Sequence, residues 1–301
     1  MEVLVAGGTG FIGSHVVDEL AKGGRHTIAV MTRDPAAATR REGVARYVQG
    51  DVADASSHAR ASEQIEAVVH CVQFPNHPVE NPRRGWTYER VDGDGTERMV
   101  AACMKSGVRR FVYLSGAGVA PGRDKPWWRA KARAERAIVE SGMEYVIIRP
   151  SWVYGPEDRS LNKFIAFVKY LPIVPIIVAG QERVQPVSVF DLAKIVAMAV
   201  DEPRATNGVF EVGTHEALTM DEVLGTVMKV LGKRRLLVRQ PAWLVKIPAS
   251  ILQYLPNAPL SPDAVDFITM DVRVDPTRTE EVFGITFAPL EEGLGAYLTR
   301  Q

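Results

Sequence analysis

Gly7, Gly10 and Gly13 separate the apolar run Val3-Leu4-Val5-Ala6 from the helical pattern Ser14 to Leu20, and Gly8, Thr9, Phe11 and Ile12 complete the turn between them. A backbone without side chains at that spacing lets a diphosphate come close, and the helix start offers it free N–H groups and a positive dipole end. The chemistry this predicts is the grip on a dinucleotide. Because the glycines follow a strand-length apolar run and open an amphipathic helix, the motif has its confirming context.

The end of the second apolar run should choose the nucleotide. It reads Met31-Thr32-Arg33-Asp34-Pro35. An acidic residue here would accept from a ribose 2′-hydroxyl, whereas an arginine would meet a 2′-phosphate. Asp34 before Pro35 is explained as the N-cap of a following helix, with Pro35 at its first position, which leaves Arg33 for the phosphate. NADP(H) is therefore expected over NAD(H), which stays possible, with Arg40 and Arg41 one helix later as supplements or as a solvated helix end.

Other reactive side chains are few. His70 precedes Cys71 and Val72 in an apolar strand, where a lone histidine is expected to be a hydrogen-bonded core residue. His77 falls in the loop Phe74-Pro75-Asn76-His77-Pro78 and is a weak substrate-site candidate. Lys131 lies beside the helical stripe Trp127, Ala130, Ala134, Ala137 and Ile138, opposite the charged face of Arg129, Arg133, Arg136 and Glu140. Partial desolvation beside a cofactor would lower its pKa and let it donate a proton. No metal-ligand spacing is present, and Cys71 and Cys103 read as buried thiols.

The elements that must position these groups follow from periodicity. Val3–Ala6, Thr27–Thr32, Ala45–Gln49, Ala67–Val72, Arg110–Ser115 and Tyr145–Arg149 read as strands, mostly with helical segments between them. That rhythm predicts an α/β fold, a Rossmann-type doubly wound parallel sheet with the ligand crevice at the carboxyl strand ends. After Arg149, prolines break the pattern, so residues 1–155 are expected as the dinucleotide-binding domain and 156–301 as a smaller α/β substrate part. Segments around 184–213 are expected to return to the main sheet. Leu171 to Val178 and Trp243 to Pro248 are apolar enough to line a greasy pocket.

Lysine plus arginine equal aspartate plus glutamate at 36 each in the 301 residues, so the bulk charge gives no argument for nucleic acid or an anionic surface as partner. The first strand begins at once, and no apolar run reaches spanning length. A cytoplasmic protein acting on small molecules is expected.

The glycine spacing resembles that of the extended and atypical short-chain dehydrogenase/reductases. Val146-Ile147-Ile148-Arg149-Pro150-Ser151-Trp152-Val153-Tyr154-Gly155-Pro156 and Val184 to Ala193 are similar to segments of that superfamily. Asn257-Ala258-Pro259-Leu260-Ser261-Pro262-Asp263 is similar to the branch containing the nucleotide-binding accessory subunit of respiratory complex I. The resemblance implies an adenine-contacting position at Asp51 and Val52 and backbone contacts from Cys71, Val72, Ser115 and Gly116. It also implies a cofactor role for Pro150, Ser151 and Val153, and ribose contact by Lys131.

The same comparison exposes a gap. The superfamily's catalytic tyrosine stands four residues before the lysine, and here that position is Trp127, whose indole N–H is no general acid. The catalytic hydroxyl position falls on Gly116, with Ser115 one residue early. Tyr154 is a possible substitute hydroxyl or a packing aromatic. Three functions fit: an NADP(H)-dependent oxidoreductase acting on an apolar carbonyl, enone or quinone-like acceptor; a non-catalytic NADP(H)-binding structural or redox-sensing protein with a protein partner; or a nucleotide-sugar epimerase or dehydratase.

Overall fold

In the computed structural model, residues 1–178, 182–255 and 260–298 are described. The first half alternates except between its second and third strands: β1 (Glu2–Ala6), α1 (Phe11–Gly23), β2 (Thr27–Thr32), β3 (Val44–Gln49), α2 (Ala55–Ala61), β4 (Ala67–His70), α3 (Thr96–Lys105), β5 (Arg110–Leu114), α4 (Pro126–Glu140) and β6 (Glu144–Pro150). The second half is more broken: β7 (Val153–Tyr154), α5 (Leu161–Tyr170), β8 (Ile173–Val178), β9 (Arg183–Val184), β10 (Val187–Ser188) and α6 (Val189–Met198) lead to β11 (Gly208–Val212). It closes with β12 (Leu218–Thr219), α7 (Met220–Val230), β13 (Leu236–Pro241), α8 (Ala242–Leu252), α9 (Pro262–Ile268), α10 (Thr277–Phe283) and α11 (Leu290–Leu298).

Seven strands form one parallel sheet in the order β11-β6-β5-β4-β1-β2-β3. Strands so enclosed are apolar throughout: Val3 to Ala6, Ala67 to Val69 and Phe111 to Tyr113 are fully buried, because helices cover both faces. One face packs Val16, Val17 and Leu20 of α1 with Leu192, Ala193 and Val196 of α6, while the other packs Met99, Val100 and Cys103 of α3 with Ala130, Ala134 and Ile138 of α4. The chain returns to this sheet at β11, which pairs with β6 from Gly208 opposite Val146 to Val212 opposite Pro150. A third core, built on Leu161, Val168, Val174, Ile176, Val223 and Val227, belongs to the second half.

Between β2 and β3 the expected helix is absent. Asp34 Oδ1 accepts from the backbone N–H groups of Ala36 and Ala37, at 3.0 and 3.1 Å, and so caps a turn instead. Arg40 and Arg41 are not at a helix end either. The Arg40 guanidinium lies 4.5 Å over the Tyr47 ring, and Arg41 is paired with Asp18 of α1. The motif at 257–263 lies partly outside the described residues.

Candidate dinucleotide site

The sheet order reverses about β1, so the loops after β1 and β4 part on either side of a crevice, which is where such sheets bind ligands. Gly7 has φ +84°, and a Cβ there would stand 2.8 Å from the Cys71 carbonyl oxygen. A Cβ on Gly13 would run into the Gly7 carbonyl oxygen. Only glycine folds this loop. Gly10 caps α1 with extended backbone and no side-chain hydrogen bond, so the first-turn N–H groups of Phe11, Ile12 and Gly13 have no capping acceptor from the chain. That bare helix start fits a diphosphate, whose oxygens would take those N–H groups and whose charge the dipole favours.

Around this loop the expected contacts gather at the carboxyl strand ends. Cys71 and Val72 touch the glycine turn, and burial pushes the Cys71 thiol up to about 12, so it stays protonated. Asp51 follows β3, its Oδ1 accepting from Ala53 N–H at 2.9 Å, and Val52 is buried beside it. Arg33 is exposed at the end of β2 and has no ion-pair partner among the described residues. Pro150, Ser151 and Val153 continue β6, where the Pro150 carbonyl accepts from Ala117 N–H at 3.0 Å. Gly116 faces open space: nothing lies within 4 Å of where its Cβ would be.

Two expected groups are committed elsewhere. The Ser115 hydroxyl donates to Glu135 Oε1 at 2.6 Å, and Arg149 grips the same carboxylate through Nε at 2.9 Å and Nη2 at 2.5 Å. The Ser115 side chain is thus part of a clasp between β5, α4 and β6. Tyr154 is a core residue of the second half, 1% exposed, with Gly293 of α11 against its hydroxyl and burial raising its pKa. It offers no substitute acid.

Lys131 is buried, as its place beside the apolar stripe implies, yet its electrostatics differ from expectation. Its Nζ stands 2.9 Å from Asp92 Oδ1, donates to the Leu114 carbonyl at 3.3 Å and sits 5.1 Å over the Tyr113 ring. Burial alone would lower the ammonium's pKa, but Tyr113 and Asp92 together outweigh it and hold the pKa above the ordinary lysine value. The Asp92 ion pair therefore holds Lys131 as a cation. Burial raises the Asp92 carboxyl, with Lys131 pulling it back. Asp92 lies in a π-helix, Tyr88–Gly95, which packs against α4. Sequence reasoning missed it, because nothing local in Val91-Asp92-Gly93-Asp94-Gly95 shows that its first acid will meet a lysine on another helix.

Trp127, one turn before Lys131, is 5% exposed and packs on Trp128 and on Phe267 of α9, at centroid distances of 5.4 and 5.3 Å. His77 is caged by Phe267, Tyr88 and Phe74, with Nε2 3.0 Å from the Tyr88 hydroxyl. His70 is a core residue, 3.0 Å from Thr96 Oγ1, and burial, then Lys131, lower its pKa to about 3. Both histidines are neutral. The described residues contain no cluster able to hold a metal.

A parallel sheet with a bare helix start at its reversal point defines a dinucleotide-binding α/β protein. A family model described as NAD(P)H-binding matches residues 7–167, and the chain belongs to that family, within the atypical short-chain dehydrogenase/reductases. It is 26% identical over 306 residues to a UDP-glucose 4-epimerase of Vibrio cholerae, covering 94% of this chain and 89% of that one. It is 27% identical over 262 residues to the mitochondrial NADH dehydrogenase [ubiquinone] 1 alpha subcomplex subunit 9 of Arabidopsis thaliana, covering 84% of this chain and 63% of the subunit. Among solved structures, MoeE5 with UDP-glucose and NAD superposes with TM-score 0.77 at 23% identity, over 99% of this chain and 98% of that one. The NADPH-dependent quinone oxidoreductase QOR2 of Escherichia coli gives 0.74 at 18%, over 98% and 99%.

Proposed function

We propose that the protein is an NADP(H)-dependent oxidoreductase that reduces an apolar, electron-poor carbonyl, enone or quinone-like acceptor. The observation that carries this is the retention of a buried cation, Lys131, anchored by Asp92 beside the end of β5, in a crevice whose other proton-transfer positions are Trp127 and Gly116. Bound nicotinamide would supply a hydride at its C4 position. The first turn of α1 would hold the diphosphate, Arg33 the 2′-phosphate, and Lys131 the ribose hydroxyls. A fixed ammonium also stabilises negative charge that develops on an acceptor oxygen, without itself losing a proton. An acceptor whose reduced form is a stabilised enolate or hydroquinone anion needs no strong general acid, which suits a site with Trp127 in place of tyrosine. The packed aromatic cluster of Trp127, Phe267 and Tyr88, next to Lys131 on α4, makes these surroundings apolar. The name of the Escherichia coli neighbour supports this choice of acceptor.

The test is transfer of label from 4-labelled NADPH to a panel of quinones and enones by the intact protein. Stereospecific transfer that drops in Lys131→Met is expected. A panel without turnover, beside tight nucleotide binding, would replace this function with the second one: a protein that holds the nucleotide for structure or sensing. Trp127 and the committed Ser115 hydroxyl are what favour that second function. An epimerase or dehydratase of nucleotide sugars, the activity named for the Vibrio relative, fits less well because proton exchange at a sugar hydroxyl lacks its acid here.

A further inference from the structure

Of the segments expected to line a greasy pocket, Leu171 to Val178 sends Val174 and Ile176 into the third core, while Leu171, Ile173, Trp243, Leu244 and Ile247 face outward. Of the fifteen exposed large apolar residues among those described, eleven fall between Tyr170 and Ile173 or between Leu236 and Leu255. Helix α8 has its polarity inverted: the small Ala242 and Ala249 are buried against Ile177 and Val265, while Trp243, Leu244, Ile247 and Ile251 are 48–71% exposed. At 100° per residue these four cover one face of the helix. A soluble helix normally does the reverse, and an exposed apolar patch of this kind marks a docking surface.

The patch continues onto the neighbouring ribbon. In β8 and β13, paired in parallel, Val174, Ile176 and Leu237 point into the third core. Alternation turns Ile173, Leu236 and Val238 to the other face, where α8 packs on Ile177 and where these three are 48, 63 and 38% exposed. The charge on this stretch is one-signed: residues 233–262 contain Lys233, Arg234, Arg235, Arg239 and Lys246 and no acid, although the whole chain is neutral. Arg239 and Lys246 are paired with Asp221 and Asp266, whereas Lys233, Arg234 and Arg235 have no carboxylate partner among the described residues.

We propose that this face docks the protein on an anionic lipid bilayer, with α8 lying in the interface plane. Large apolar side chains on one helix face, cations beside them, and amphipathic rings at Trp243, Tyr254 and Tyr170, which are 67, 77 and 80% exposed, are the features of an interfacial helix. Cations without carboxylate partners, Lys233 and Arg234 above all because the Arg235 guanidinium donates to the Val168 carbonyl at 2.8 Å, add attraction to acidic headgroups. A second copy is disfavoured, since a two-fold contact would set this cationic stretch against itself. Docking here would bring the crevice near the membrane: α9, against α8, contributes Phe267 to the Trp127 cluster, and Asp266 bridges Lys246 of α8 at 2.5 Å to Lys125 at the start of α4 at 2.7 Å. That an acceptor would come from the bilayer rests on the oxidoreductase function; the docking itself does not.

Vesicle flotation of the full chain tests this, with phosphatidylcholine alone and with phosphatidylcholine plus phosphatidylglycerol. Binding to the anionic vesicles about tenfold or more stronger than to neutral ones, and weakened by salt, is expected. Trp243→Ser with Ile247→Ser and Ile251→Ser should cut it by at least about tenfold with unfolding unchanged. In the unaltered chain, tryptophan emission should be quenched by vesicles with brominated acyl chains, and Trp243→Phe should remove most of that quenching. Absence of flotation, equal binding to neutral vesicles, or a concentration-dependent dimer abolished by the triple variant would each overturn the proposal.

Discussion

Replacing Lys131 by methionine while Asp92 stays removes the paired cation from a fully buried carboxylate. Breaking a buried pair from one side costs about 3–5 kcal/mol, since the remaining charge is left without compensation. A chain of 301 residues unfolds with an entropy near 0.6 kcal/mol per kelvin, so Tm should fall by about 5–8 °C. The loss must depend on pH. Without Lys131, burial alone acts on Asp92 and raises its folded pKa further; the folded state then holds a proton that the unfolded state gives up above about pH 4. Stability of the variant therefore drops, relative to the parent, as pH rises from about 4 through neutrality.

Adding Asp92→Asn removes the stranded charge and should recover about 1–3 kcal/mol, a coupling measurable as a double-mutant cycle by thermal unfolding at several pH values. The double variant should regain the parent's own pH response but not hydride transfer, which separates the cation's structural work from its chemical work. Strict additivity of the two single substitutions, or a Lys131→Met deficit that does not change between pH 5 and 8, would refute the pairing.

Other consequences are as direct. Arg33→Ala should weaken NADPH binding by about tenfold or more and leave NADH nearly unchanged, read by titration of both; equal losses would remove the 2′-phosphate role. Ser115→Ala should lower stability by about 1–3 kcal/mol through the unsatisfied Glu135 clasp while nucleotide affinity stays constant, and a specific loss of affinity would contradict that structural role. His70 stays neutral down to about pH 3 when folded but takes a proton near 6.5 when unfolded, so its contribution is lost as pH falls through that window. At pH 5 this amounts to about 2 kcal/mol. His70→Asn should flatten the slope of stability between pH 6.5 and 4, and an unchanged slope would disprove the burial argument.

How much of this was legible depended on whether the determining forces were local. The sheet could be read because each strand is a short apolar run buried on both faces, and the glycine turn because its backbone forbids a Cβ. Lys131 could be placed because helical periodicity puts it beside the stripe that carries Trp127 and Ala130. Its partner could not: Asp92 is 39 positions upstream in a π-helix, and nothing local in the sequence shows that this acid will meet a lysine on α4. Glu135, the partner of the Ser115 hydroxyl, escaped for the same reason, as did the direction of the Lys131 pKa. The outward turn of α8 was misread because apolarity alone says that a side chain avoids water, not which non-aqueous surface covers it.

The central claim is that α1 begins as an uncapped anion site for a pyridine nucleotide. Gly10→Asp tests it most directly, because Gly10 has φ −85° and ψ 175°, which an aspartate accepts once the Gly7 carbonyl oxygen, 3.2 Å from its Cβ, gives by a few tenths of an ångström, and the helix cap an aspartate supplies offsets that strain. Calorimetric titration should show saturable NADPH binding by the parent and a loss of about a hundredfold in a Gly10→Asp protein that melts no lower. Failure of the parent to bind either pyridine nucleotide, or a Gly10→Asp variant that binds as well as the parent, would contradict the account.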